Sequence, residues 1–308
     1  MRKLLLFLSS STLAGCAHDF ALNALEEGEA AAEAWEDTGA PVEEDVELQK
    51  EDEEDPAPQE EPLEEDPPAE DDCEDTSDLV YVIDKESEEL FLFHPDTLSL
   101  ESLGVLDCDY WSTPGSMGVA RDGVAYVRYA DDNVYAVDLE TMDCTPTDYG
   151  TKPSSFGSFG MGYATQSSKT WRDDLFVANS NQLARLDDST WTLEKLGRLP
   201  SQAELTGNAD GELWGFLPLE SPAELVQLDK EDGSILQTIK MPAFPDPYDI
   251  DTFAFATWDG DFYLFVRTFG MGSSTDVYRV SENGQMTRVL ENIGINVVGA
   301  GVSTCAPS

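Results

Sequence analysis

An all-β fold of tandem four-stranded sheets is predicted by three features of residues 76–308. Short apolar, aromatic and β-branched runs alternate with turn residues at regular intervals, which is how strands and hairpins read in a sequence. One hairpin recurs, in which a strand of small residues meets an Asp-Gly turn and then an aromatic-rich strand. Amphipathic helical periodicity is nearly absent over the same span. A tandem unit of roughly 38–50 residues with four antiparallel strands is the signature of a β-propeller blade.

Before that domain come two segments of different composition. Residues 1–20 read MRKLLLFLSSSTLAGCAHDF. Arg2 and Lys3 form a basic start, and Leu4–Leu13 is an apolar run of about ten residues, too short to span a bilayer as a helix. This is the pattern of an export signal occupying residues 1–15. The residues Leu13-Ala14-Gly15-Cys16 resemble the lipobox of bacterial lipoproteins. The resemblance implies cleavage before Cys16, diacylglycerol on its thiol and acylation of its new amino group. Several acyl chains hold a membrane far better than one, because each buried methylene adds roughly 0.8 kcal/mol. Ala17 rather than Asp after the cysteine resembles the outer-membrane sorting class of a Gram-negative cell. The expected location is therefore the cell envelope.

Residues 16–75 read as a lipidated N-terminus followed by a disordered tether. Residues 19–75 carry 26 acidic side chains and one cation, Lys50. A run of Glu, Asp and Pro cannot build a core, and its like charges hold it extended. The rest of the chain is acidic too, and the whole carries a formal charge of −46. Such a surface repels nucleic acid and anionic headgroups and suits cationic partners.

The propeller then unfolds strand by strand. Residues 79–104, LVYVIDKESEELFLFHPDTLSLESLG, supply the second, third and fourth strands of a blade but not its first. The recurring hairpin follows at 116–129, 160–178, 204–217 and 252–266. Third strands come next, several ending in an acidic turn, as in VYAVDLE and LARLDDS, and fourth strands such as TLEKLG and ILQTIK complete the units. Residues 295–306, INVVGAGVSTCA, resemble an isolated first strand. Joined to residues 79–104 they make a composite blade that closes the ring. The count is five blades, or six if two units are merged in this reading.

Five cysteines are present, at 16, 73, 108, 144 and 305. With Cys16 lipidated, four remain in an oxidising compartment, which points to two disulfides. Their positions suggest Cys73–Cys305, which joins the ends of the domain, and Cys108–Cys144, which staples adjacent blades. There is no CxxC, and the only histidines are His18 and His94, so a zinc site is a poor reading.

First strands of blades line the axis of a propeller. Here they carry Gly118, Gly162, Gly207, Ala256 and Gly299, small residues that let strands crowd together. No set of His, Asp and Glu recurs at equivalent positions, and candidate oxygens such as those of Asp251 and Thr206 are scattered. The serines have no histidine base that spacing would recommend, which argues against a Ser/His/Asp hydrolase. No cofactor is expected. The Asp-rich turns at 130–133 and 259–261 could hold a structural Ca²⁺, but neither has EF-hand spacing, and hairpin turns explain them. The loops of one face hold Tyr110, Trp111, Phe156, Phe244, Asp246, Tyr248, Asp249 and Phe269. Aromatics among carboxylates suit an envelope protein, peptide or glycan partner. The expected function is noncatalytic binding by a lipid-anchored propeller. The competing reading is a metal-dependent lactonase-like or glycan-processing propeller enzyme.

Overall fold

A computed structural model describes residues 79–108, 111–151, 156–167 and 172–308. The expected export signal, Cys16, the expected tether, Cys73 and Tyr110 lie outside the described residues.

Among the described residues, twenty strands form five antiparallel sheets of four. The first sheet contains β1 (Val80–Asp84), β2 (Glu89–His94) and β3 (Ser99–Val105), with β20 (Val297–Val302) as its inner strand. The second runs β4 (Pro114–Val119), β5 (Val124–Tyr129), β6 (Val134–Asp138), β7 (Cys144–Pro146). The third runs β8 (Gly160–Thr165), β9 (Asp173–Ala178), β10 (Gln182–Asp187), β11 (Thr192–Arg198). The fourth runs β12 (Glu204–Gly207), β13 (Leu213–Leu217), β14 (Ala223–Leu228), β15 (Ile235–Met241). The fifth runs β16 (Ile250–Trp258), β17 (Asp261–Thr268), β18 (Asp276–Ser281), β19 (Met286–Leu290). The inner strands β4, β8, β12, β16 and β20 are neighbours around a ring. This is a five-bladed β-propeller. Its composite blade is closed by β20, paired with β1 from Val80↔Val302 to Asp84↔Val297.

The core lies between blades rather than within one mass. Five apolar clusters each fill the wedge between two neighbouring blades. Between the fourth and fifth blades, for example, Trp214 and Phe216 meet Phe255, Phe262 and Leu264. The alternation of each strand sends side chains into the wedges on both of its sides, so inner and middle strands are buried almost throughout. Outer strands are exposed, and in four blades a bulge shifts the register between third and fourth strands, twisting the free edge.

Turn chemistry explains the repeated acidic motif. The Asp138 and Asp187 carboxylates accept backbone N–H groups two and three residues on, and Asp229 accepts that of Glu231. The turn closes when the fifth residue donates to the carbonyl of the first, as Leu98 does to His94, Met142 to Asp138 and Trp191 to Asp187. All three closing residues are left-handed. Their side chains turn back onto the blade clusters, with Trp191 buried. Burial there outweighs a backbone cost of roughly 1–2 kcal/mol. At the inner hairpin of the fifth blade, Asp259 and Gly260 both have positive φ, the conformation a two-residue turn of matching twist requires.

The Cys108–Cys144 disulfide forms as its spacing suggested. It ties the segment after the first blade to the outer strand of the second, with Cα atoms 5.1 Å apart. Closing a loop of this length removes about 4 kcal/mol of denatured-chain entropy in the loop-closure account. Cys305 is also disulfide-bonded. Its expected pairing with Cys73 falls outside the described residues.

The inner strands run in the same direction and nearly touch. A Cβ on Gly162 would lie 2.5 Å from the Leu205 carbonyl oxygen, and one on Gly207 would lie 2.4 Å from that of Tyr163. Backbone cannot yield as a flexible side chain can. Gly162→Ala is therefore expected to destabilise the domain by about 2 kcal/mol through overpacking. Chemical denaturation checks this, and an unchanged midpoint would show that the strands can part.

Candidate functional site

Inner strands enter the ring at one face, here called upper, and leave at the other. Buried polar clusters lie at both ends. At the upper end Ser116, on β4, donates from Oγ to Glu204 Oε2 at 2.8 Å and accepts the Met161 N–H at 3.1 Å. Glu204 opens β12 and is 3 % exposed. Burial pushes its carboxyl up to about 8, against the opposing pull of the Ser116 hydrogen bond and the Arg128 charge. Arg128, buried on β5, donates instead to the carbonyl oxygens of Phe159 and Tyr129, both at 3.0 Å. Burial also lowers its own pKa, with Glu204 acting the other way. This cluster joins three blades, and its depth keeps solutes from it.

At the lower end Arg121 pairs with Asp173 at 3.3 Å, both side chains largely buried. Arg121 also reaches Thr304 Oγ1 at 2.8 Å, and Thr165 Oγ1 donates to Asp173 at 3.0 Å. The hairpin of the second blade, the third blade and the segment after β20 are thus held together across the exit of the ring. Beside it a polar hollow of ≈ 220 Å³ is lined by Gln166, Asp174, Arg185, Lys230 and Glu231. Its cations are already engaged: Lys230 donates to the Thr165 and Gln166 carbonyls, and Arg185 pairs with Asp174, Glu194 and Glu231.

The small residues expected along the axis are where they were placed, and they pack strand against strand. Among the described residues, no three His, Cys, Asp or Glu side chains converge as metal ligands would. The turns at 130–133 and 259–261 are ordinary connections between strands, stabilised by Asp131 accepting from Asn133 and by the positive φ of Asp259 and Gly260.

The loop aromatics of the upper face divide into two groups. Phe156 and Phe244 were expected among the presented residues, and the structure corrects both. Phe156 is buried against Phe159, with its carbonyl held by Asn179 Nδ2. Phe244 packs edge-on to Phe216 and against Tyr278, filling the top of a blade wedge. Trp111, Tyr248 and Phe269 do face solvent, at 94, 92 and 66 % exposure, and so does Met271. Asp246 caps the short turn Pro247–Asp249 by accepting the Tyr248 N–H at 3.0 Å. The Phe269 N–H donates to the Asp249 carbonyl at 2.8 Å, tying the two aromatic loops of the fifth blade together. Asp246 and Asp249 are both exposed.

No family model matches the chain, and no curated protein does. Among solved structures, a protein of unknown function from Bacteroides caccae is 10 % identical with a TM-score of 0.41, over 73 % of this chain and 98 % of that one. A chain of the mitotic checkpoint complex is 12 % identical with a TM-score of 0.40, over 74 % and 79 %. An auxiliary nutrient binding protein from Bacteroides thetaiotaomicron VPI-5482 is 11 % identical with a TM-score of 0.41, over 68 % of this chain and 54 % of that one. The fold rests on the strand pairing alone.

Sequence reasoning passed over Glu204, Arg128, Arg121 and Asp173. For Arg128 the available signal was a charge inside an otherwise apolar strand, VAYVRY.

Because Glu204 is raised in the folded state, the folded protein keeps a proton that the unfolded chain releases. Its contribution is full below the ordinary value of 4.5, falls as pH rises, and is gone above about 8. Glu204→Gln keeps an acceptor for Ser116 and carries no charge. Its melting temperature is expected to match the parent's in acid and exceed it above pH 8. Thermal melts across that range test this, and parallel curves for the two proteins would refute it. At the other end of the ring, Asp173→Ala leaves the Arg121 charge buried without its carboxylate. Denaturation should register a loss of about 3 kcal/mol.

Proposed function

We propose that this chain is a lipid-anchored protein of the cell envelope whose propeller binds a partner without catalysing a reaction on it. The carrying observation is the upper face, where Tyr248, Phe269 and Met271 stand in solvent on loops fixed by their own backbone bonds. Large apolar side chains held outward on an ordered scaffold lose free energy unless something covers them. The chain enters the propeller at Leu79, at the lower end of β1, where β20 also finishes. Leu79, the first described residue, thus lies on the side of the ring opposite the aromatic loops. The sequence supports the anchor through LAGC and the acidic run behind it, and Ala17 favours the outer membrane if the cell is Gram-negative.

Two measurements test this. Labelling with a fatty-acid analogue should mark the intact protein and not Cys16→Ala, which should leave the membrane fraction. A photocrosslinker at position 248 should give a discrete adduct on cells, and one at exposed Glu140 on the lower side should not. Equal adducts from both positions would argue against a directed face.

A further inference from the structure

We infer that the patch on the fifth blade receives an Arg- or Lys-bearing peptide segment, an inference that rests on the binding reading above and narrows it. Two loops build the patch. One presents Tyr248 and Asp249 after the Asp246 cap. The other presents Phe269 and Met271, and is closed by Ser273 Oγ donating to the Thr268 and Gly270 carbonyls at 2.8 and 3.0 Å. The Phe269–Asp249 backbone bond joins them and holds the two loops side by side.

The charge around this surface is one-sided. Asp246, Asp249, Asp251 and Glu86 lie on the loops and strand ends at this corner. The cation Arg267 is already engaged, at 3.0 Å from Asp251, 3.8 Å from Glu86 and 3.1 Å from the Ser273 carbonyl. Asp249 makes no side-chain hydrogen bond or ion pair among the described residues, and neither does the Tyr248 hydroxyl. A surface that couples exposed aromatic rings to an unspent carboxylate matches a side chain with an apolar stem and a cationic head. The stem lies along the rings and Met271, and the head meets ring face and carboxylate together. An anionic lipid surface would be repelled. A neutral glycan would leave the Asp249 charge desolvated and unpaired, at a cost its hydroxyls only partly offset.

The test uses the full-length lipidated protein in detergent micelles, titrated with a short peptide of Arg and Leu, its Glu-for-Arg counterpart, and a soluble cello-oligosaccharide. The Arg peptide should bind with an affinity that falls as salt rises, while the other two should not bind. Because the acidic tether also attracts cations, the deciding comparison is between variants that share it. Tyr248→Ala/Phe269→Ala should weaken the Arg peptide about tenfold or more. Asp249→Asn should weaken it less and flatten the salt dependence. Unchanged melting temperatures will show that these exposed substitutions leave the fold intact. Equal affinity of parent and double variant would overturn the inference, since the peptide would then be held elsewhere. Binding of the oligosaccharide instead, lost in the double variant, would also overturn it while sparing the broader binding reading. Absence of a directed adduct from position 248 on cells counts against that broader reading, whatever the peptide does.

Discussion

Five inner strands share a narrow axis, and between several of them there is no room for even a methyl group. Gly162 faces the Leu205 carbonyl, Gly207 faces that of Tyr163, and Gly301 crowds Val119. Everything else follows from that crowding. Neighbouring inner strands pack backbone to backbone at these glycines, and the large side chains lie in the wedges between blades. The large aromatics gather there: Phe93 with Tyr263 and Phe265, Tyr149 with Phe159, and Trp214 with Phe262.

The polar groups near the axis fit the same constraint. Arg128 and Glu204 sit where strands of different blades converge at one end, and Arg121 and Asp173 do so at the other. Each takes hydrogen bonds that no apolar residue could supply, and each joins elements far apart in sequence. Buried polar and ionic groups of this kind add little net stability compared with well-packed apolar groups. Their directional bonds do fix how one blade meets the next, a specificity that apolar wedges with similar shapes do not provide alone.

How much of this was legible varies by residue, and the reasons are physical. Asp-Gly turns, strand alternation and the lone final strand are local signals, and they gave the blade pattern and its closure. The Cys108–Cys144 bridge followed from which strands the cysteines flank. The loop aromatics were not legible individually. Phe244 and Tyr248 lie in one segment, PAFPDPYDID, yet one fills a wedge and the other stands in water. Their fates depend on whether the neighbouring blade leaves a gap, which local sequence does not encode. Glu204 was hidden differently. In a chain this acidic, one more glutamate beside a turn carries no distinguishing mark until its partners Ser116 and Arg128 arrive from other blades.

The pairing of β1 with β20 has a consequence in time. Val80 finds its neighbour Val302 only after every other blade has been made and brought around. Until then the inner edge of β1 presents unpaired amides and carbonyls, bordered by strands whose apolar faces lack a second wall. This sets an order of events. Among the described residues, β20 completes the sheet that β1 begins, so the ring can seal only once the strands between them are in place. The waiting edge is where a chaperone would be most useful, and where a second nascent copy would most readily intrude.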